Sequence, residues 1–332
     1  MAGVPQEVTE DILSRLPAKS ILRFKSASKT WYSLISENHT FAKFHLKQSS
    51  ESKNLIFYQC PAYGDIFKSS DVYTYESRII KFPVEIDTPC RLIGSANGLI
   101  CVASCKTEDC CFIWNPCTDE CKRISVPFPS AGCRLFGFGH DSILDDYKII
   151  GAWDSHLGIF SLKTNSWKTL EYSCGMTAFK YASAVTAVHS DGALYWYVGA
   201  QITAFDLARE KILVLDLPEE INDFGYYNSS WVPLFDYQGL LCVSWRKSIW
   251  VMKEYGNSNS WAKLTTSLPY EYAKPVGISR LGEVIFCTVD GFVKSDLQGR
   301  MHGDDKSRMR RYVDAFMYKE SLISPKCFDP KG

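Results

Sequence analysis

From about residue 53 the chain repeats itself roughly every 45 residues, and this period constrains the fold more than any other feature. A turn residue followed by glycine and an apolar run recurs as Asn97-Gly-Leu-Ile-Cys-Val-Ala103, Asp191-Gly-Ala-Leu-Tyr-Trp-Tyr197, Gln238-Gly-Leu-Leu-Cys-Val-Ser-Trp245 and Leu281-Gly-Glu-Val-Ile-Phe-Cys287. A version without the glycine reads Asp146-Tyr-Lys-Ile-Ile-Gly-Ala-Trp153. Each is followed by a strand, a polar turn and another strand, and Trp114, Phe160, Phe205 and Val251 hold equivalent places at steps of 46, 45 and 46 residues. Four short strands per unit, with hairpin turns inside it, are the pattern of a β-propeller. The count is about six blades between residues 53 and 298. A propeller has to close its ring to lose its open sheet edges, and the alternating stretch from Tyr312 to Leu322 is the expected closing strand. A β-sandwich with irregular loops competes, but the even period argues against it.

The first fifty residues are built differently. They hold seven Lys/Arg, four Asp/Glu and no cysteine. Val8, Ile12, Leu13 and Leu16 recur at helical spacing. Pro5 suits a first helical turn, and Pro17 ends the helix. Ser20, Ser28 and Thr40 are expected caps of three further short helices carrying Ile21, Leu22 and Phe24, then Trp31, Leu34 and Ile35, then Phe41, Phe44 and Leu46. So small a helical unit is marginal alone and leans on a partner or on the next domain.

These helices carry a resemblance. The run from Val4 to Lys25, with Ile12-Leu13, Leu16-Pro17 and Lys19-Ser-Ile-Leu-Arg-Phe24, followed by Lys29-Thr-Trp31, resembles an F-box. Val4 stands where the family usually has Leu, and Ala27-Ser28 where it usually has Val-Cys. The repeat region is similar to the F-box-associated, kelch-like region of plant F-box proteins. Asn97-Gly-Leu-Ile-Cys-Val, Trp114-Asn-Pro-Cys-Thr, Asp145-Asp-Tyr-Lys-Ile-Ile150 and Tyr318-Lys-Glu-Ser-Leu322 carry that likeness, although the paired glycines of a strict kelch repeat are missing. The resemblance implies an F-box module at 1–47, a propeller for target recognition at 53–324 and a tail at 325–332. It implies a Skp-type adaptor, and through it a cullin, as partners. By motif position, Pro5, Ile12, Leu13, Leu16, Pro17, Leu22 and Trp31 are the expected adaptor-binding residues, and the target-binding residues are unknown. The implied role is the substrate receptor of a ubiquitin ligase that leads its target to degradation. The alternative is a propeller scaffold whose helices are only a cap.

Composition removes other classes. Thirty-seven Lys+Arg balance thirty-seven Asp+Glu, so neither a nucleic-acid binder nor an acidic tail is expected. The N-terminus lacks the basic and apolar regions of a signal peptide, and no apolar run reaches membrane-spanning length. The expected location is the cytoplasm, the nucleus or both, where the thirteen cysteines stay reduced. Seven of them, Cys101, Cys105, Cys110, Cys111, Cys117, Cys121 and Cys133, crowd into 33 residues and invite a zinc reading. Their placement along strands and around a hairpin favours small buried thiols instead. No metal, cofactor or catalytic residue is expected. A galactose-oxidase-like propeller enzyme would need a metal site that no Tyr/His/Cys grouping specifies. Gly137-Phe-Gly-His-Asp141 reads as a tight turn, not as half of an acid–base pair. The basic stretch Arg300–Arg311 reads as a solvated loop, with nuclear targeting as the alternative.

Overall fold

A computed structural model describes residues 5–48, 55–60, 66–74, 76–84, 90–104, 110–127, 135–153, 156–171, 185–198, 201–222, 232–265, 267–269, 274–288, 291–304 and 315–328. Cys105, Cys133 and residues 305–311 of the basic stretch lie outside them. Four helices come first: α1 (Gln6–Ser14), α2 (Ala18–Phe24), α3 (Lys29–Ser36) and α4 (His39–Gln48). Their ends follow the chemistry of the sequence, with two changes of residue. Ser28 caps α3, accepting from the Trp31 N–H at 3.1 Å. Pro17, not Ser20, stands at the start of α2, so one proline both stops α1 and begins the next helix. Asn38, not Thr40, caps α4, its side-chain oxygen accepting from the Phe41 N–H at 2.9 Å.

Six sheets follow. The second contains β4 (Cys90–Ala96), β5 (Leu99–Ser104), β6 (Cys110–Asn115) and β7 (Glu120–Ser125), running from the axis outward. The third has β8 (Leu135–Asp141), β9 (Asp146–Trp153), β10 (His156–Ser161) and β11 (Ser166–Glu171), with the short β12 (Val185–Thr186) added parallel to β8. The fourth has β13 (Val188–Ser190), β14 (Ala193–Val198), β15 (Gln201–Asp206) and β16 (Lys211–Leu215), followed by the short helix α5 (Glu219–Asn222). The fifth has β17 (Leu234–Tyr237), β18 (Leu240–Trp245), β19 (Ser248–Met252) and β20 (Trp261–Thr265). The sixth has β21 (Lys274–Ile278), β22 (Val284–Thr288), β23 (Gly291–Ser295) and β24 (Met301–Asp304). The first is made from both ends of the repeat region: β1 (Leu55–Cys60), β2 (Ile66–Asp71) and β3 (Ser77–Ile80) take β25 (Ala315–Tyr318) as their innermost strand. The inner strands touch in the order β25, β4, β8, β13, β17, β21 and back to β25, which closes a six-bladed ring. The closing strand lies inside the stretch the sequence pointed to.

Apolar clusters fill the spaces between successive blades. One joins the first and second blades through Phe67, Leu92, Ile100 and Trp114, and others join the third to the fourth, the fourth to the fifth and the fifth to the sixth. The glycines that set the phase of the repeat serve the hairpins. Asn97-Gly98, Asp191-Gly192 and Gln238-Gly239 each have positive φ at both positions and join strands in two-residue turns, the geometry that matches strand twist. The outer hairpins use an Asx device: Asp71, Asn115 and Asp206 each accept from the two backbone N–H groups that follow in the turn. Trp167 and Trp261 reach back from outer strands to the Ser125 and Asp216 carbonyls at the end of the preceding blade.

Gly137-Phe-Gly-His-Asp141 is not a turn; it lies within β8. Its glycines answer a packing need. A Cβ on Gly137 would sit 2.8 Å from Leu194 Cδ1, and one on Gly139 2.5 Å from His189, both on the next blade. Glycine inside a strand here marks close approach of two sheets.

A charged group is also buried between the third and fourth blades. Lys148 on β9, 2% exposed, donates to the Leu207 carbonyl and lies 3.4 Å from Asp141 and 3.3 Å from Glu210. Asp141 is 1% exposed, and its other oxygen accepts from the Ile143 and Leu144 N–H groups.

Candidate functional site

The helices divide their apolar side chains between two surfaces. Leu13, Ala18, Ile21, Leu34, Ile35, Phe41 and Ala42 are buried in a cluster that continues into the second and third blades and into Leu322 and Ile323. Val8 and Ile12, one turn apart on α1, remain 47% and 54% exposed. Phe24 ends α2 at the surface, and Trp31 meets its ring edge-on at 5.4 Å. Tyr32 beside it is 51% exposed.

The seven expected adaptor residues therefore fall into three groups. Pro5, Ile12 and Pro17 are on the surface. Leu16, Leu22 and Trp31 are half-buried, packed against the shared core with part of each side chain free. Leu13 is in the core, 3% exposed, in the cluster that holds the helices together. Val8, Phe24 and Tyr32 belong to the exposed set and were not among the seven. Val8 was legible, standing four residues before Ile12 on the same helical face. Phe24 was not, because only the fold shows that Ile21 takes the inward position on α2.

A channel of about 530 Å³ runs along the propeller axis, walled by the inner strands of the six blades. Tyr195, Tyr197, His189, Asp236, Lys274 and Lys319 supply polar and charged atoms to its wall. Burial pushes the Asp236 carboxyl up, and the Ser190 hydroxyl donates to it at 2.5 Å. Burial pushes His189 down to about 4, while its ring nitrogen donates to the His140 carbonyl at 3.2 Å. Burial likewise lowers His39, His45 and His140.

These four imidazoles take up protons on unfolding at a higher pH than they do in the fold. The stability they contribute is complete above pH about 6.5 and is lost as the pH falls from there toward 4. We expect the thermal midpoint of the protein to drop by several degrees between pH 7 and pH 4.5. His189→Gln should flatten that dependence, which calorimetry across the range would check.

Among the described residues five cysteines are buried, and Cys117, Cys121, Cys287 and Cys327 are half-buried. Cys101, Cys110 and Cys111 are buried in the second blade. Burial raises the thiol of Cys101 well above its ordinary range, with Cys111 beside it. Cys117 is pushed up to about 12 and Cys121 to about 11, again chiefly by burial. Thiols so held stay protonated at neutral pH, which makes them weak nucleophiles. Among the described residues no group of three or more His, Cys, Asp or Glu side chains is placed to hold a metal ion. His140 lies 3.3 Å from Asp145 rather than pairing with Asp141.

Asn115 ties the second blade to the chain's end. It is fully buried; its amide nitrogen donates to the Ser321 and Ile323 carbonyls at 3.0 and 2.7 Å while its oxygen holds the β6–β7 turn. Asn115→Ala leaves two carbonyls and a turn without partners. We expect a loss of about 2–4 kcal/mol, read by urea unfolding.

A small four-helix module with an exposed apolar face, mounted on a closed propeller, is the architecture of an F-box protein with an F-box-associated propeller. The chain belongs to the family of the F-box-associated β-propeller domain, whose model matches residues 35–296, and the F-box domain model matches residues 3–43. Its relatives are plant F-box proteins. F-box protein CPR1 of Arabidopsis thaliana is 26% identical over 80% of this chain and 73% of its own length. An F-box/kelch-repeat protein of the same plant is 26% identical over 97% of this chain and 96% of its own.

Proposed function

We propose that this chain is the substrate-recognition subunit of a Skp–cullin–F-box ubiquitin ligase. The observation that carries the proposal is the apolar set Val8, Ile12, Phe24 and Tyr32, left exposed on α1 to α3 while Leu13, Ala18, Ile21, Leu34 and Ile35 of the same helices are buried. The F-box family supports a Skp-type adaptor as its partner. The propeller holds a target protein, and the receptor works by position: bringing a target lysine near a charged conjugating enzyme raises its effective concentration. The chemistry belongs to that enzyme, so this chain needs no catalytic residue of its own. A degradation role places it in the cytoplasm, the nucleus or both.

The cap-only scaffold has one observation in its favour, the core that the helices share with the propeller. A cap has no use for Ile12 and Tyr32 in solvent, and their exposure supports the receptor reading. The test is co-purification of the intact chain with a Skp-type adaptor, against a chain lacking residues 5–48. Capture by the intact chain alone supports the receptor; no capture by either chain rejects it.

A further inference from the structure

The segment that follows the ring-closing strand touches the helices at several places. Lys319 Nζ donates to the Leu46 carbonyl at 2.7 Å, a cation against the last turn of α4. Glu320 meets Lys19 of α2 at 3.0 Å and Arg78 of β3 at 2.5 Å, so one carboxylate joins a helix to the first blade. Leu322 and Ile323, 4% and 1% exposed, lie in the cluster that contains Leu13, Ile21 and Phe41. Phe328 meets the His39 ring edge-on at 5.6 Å.

The same segment is fixed to the propeller. Asn115 binds the Ser321 and Ile323 carbonyls from the second blade. The chain passes so close to the β4–β5 turn that a Cβ on Gly98 would stand 2.3 Å from Ser321 Oγ and 2.6 Å from the Lys319 carbonyl. Gly98 also has a φ of +83°, so two constraints demand glycine there. Helices and propeller also meet directly, through the apolar cluster they share and through Lys43 of α4 against Asp145 in the β8–β9 turn.

We infer that residues Lys319–Phe328 are a positioning element that sets the orientation of the F-box helices on the propeller. The innermost strand of the first blade, β25, is complete at Tyr318, so the ring closes without the segment. What the segment adds is a seat: it is bound to the second blade on one side and to α2 and α4 on the other. A receptor that works by proximity needs that seat, because the angle between helices and propeller decides where a bound target lies relative to the transferred ubiquitin. This consequence rests on the receptor reading above; the seating itself does not.

The test measures the distance distribution between fluorophores placed through unnatural amino acids at Glu37 and Gln298, both exposed. The wild-type chain should give one narrow distribution. Glu320→Lys removes the link to Lys19 and Arg78 and should widen it at least twofold, with the thermal midpoint of the propeller unchanged within about 2 °C, as expected where the cations of a half-buried carboxylate stay in solvent. Lys19→Glu and Arg78→Glu combined with Glu320→Lys restore both opposite pairs and should narrow it again. Lys319→Met with Phe328→Ala should widen it further than either change alone. Deleting residues 319–332 gives the largest effect where the product folds, and the point variants carry the test where it does not. An unchanged distribution in all the point variants overturns the proposal, as does widening that the charge exchange fails to rescue. Adaptor capture should stay within about threefold throughout. Capture absent from the wild-type chain would reject the receptor reading and leave the seating intact.

Discussion

Ile12→Asp should abolish capture of a Skp-type adaptor while leaving the protein folded. The side chain is 54% exposed, lies one turn from Val8, and makes a small share of the helical core. A surface substitution of this kind changes stability by about 0.5 kcal/mol or less. At a docking face the same change places a carboxylate against apolar partner surface. Losses of about 2–4 kcal/mol at interface anchors correspond to roughly 30- to 1,000-fold in affinity. Leu13→Asp is the contrasting variant. It puts a charge into a core position that is 3% exposed, so it should unfold the helical module and lose the adaptor for a different reason. Circular dichroism melts beside titration calorimetry separate the two: Ile12→Asp retains the melt and loses the binding, whereas Leu13→Asp loses both. Ile12→Asp binding as tightly as wild type would remove α1 from the interface.

Lys148→Met is expected to be the most damaging single change in the propeller. The ammonium is enclosed between two blades, and removing it leaves Asp141, 1% exposed, without its cation and the Leu207 carbonyl without its donor. Breaking a buried pair from one side costs about 3–5 kcal/mol, whereas replacing both partners costs far less. At about 2–4 °C per kcal/mol for a domain of this size, the midpoint should fall by about 10 °C. Asp141→Asn keeps the side-chain oxygen that holds the β8–β9 turn and removes the stranded charge. The double variant should therefore regain part of the loss. A double variant no more stable than Lys148→Met alone would mean that the Leu207 and Glu210 contacts, and not Asp141, carry the effect.

Much of the architecture was legible because its signals are local. The glycines at 98, 192 and 239 mark two-residue hairpins whose backbone geometry needs them, so a search for repeats finds the second strand of each blade. The alternation of residues 315–318 is local too, and so is the stop that Pro17 imposes. Misreadings arise where the cause lies far along the chain. Gly137 and Gly139 look like turn residues until Leu194 and His189 of the next blade are seen against them. Asn115 looks like one more turn asparagine, since its partners are 206 and 208 residues away. Ile12 and Leu13 are neighbours in the sequence and equally apolar, yet a rotation of about 100° sends one to solvent and the other inward. Which is which depends on where α4 packs, and no single-helix pattern contains that.

The ring closes by pairing β1 with β25, the first strand of the repeat region with the last. That arrangement has a consequence for synthesis. The F-box helices leave the ribosome first, and the strand that completes the first blade follows some 260 residues later. At about 5–20 residues per second the nascent chain spends roughly 15–50 s with β1 as an open edge. A product terminated before β25 keeps that edge and lacks the segment that ties α2 and α4 to the first and second blades. Completion of the ring thus waits on the last strand of the repeat region: until β25 pairs with it, β1 presents unpaired backbone groups that can template another strand.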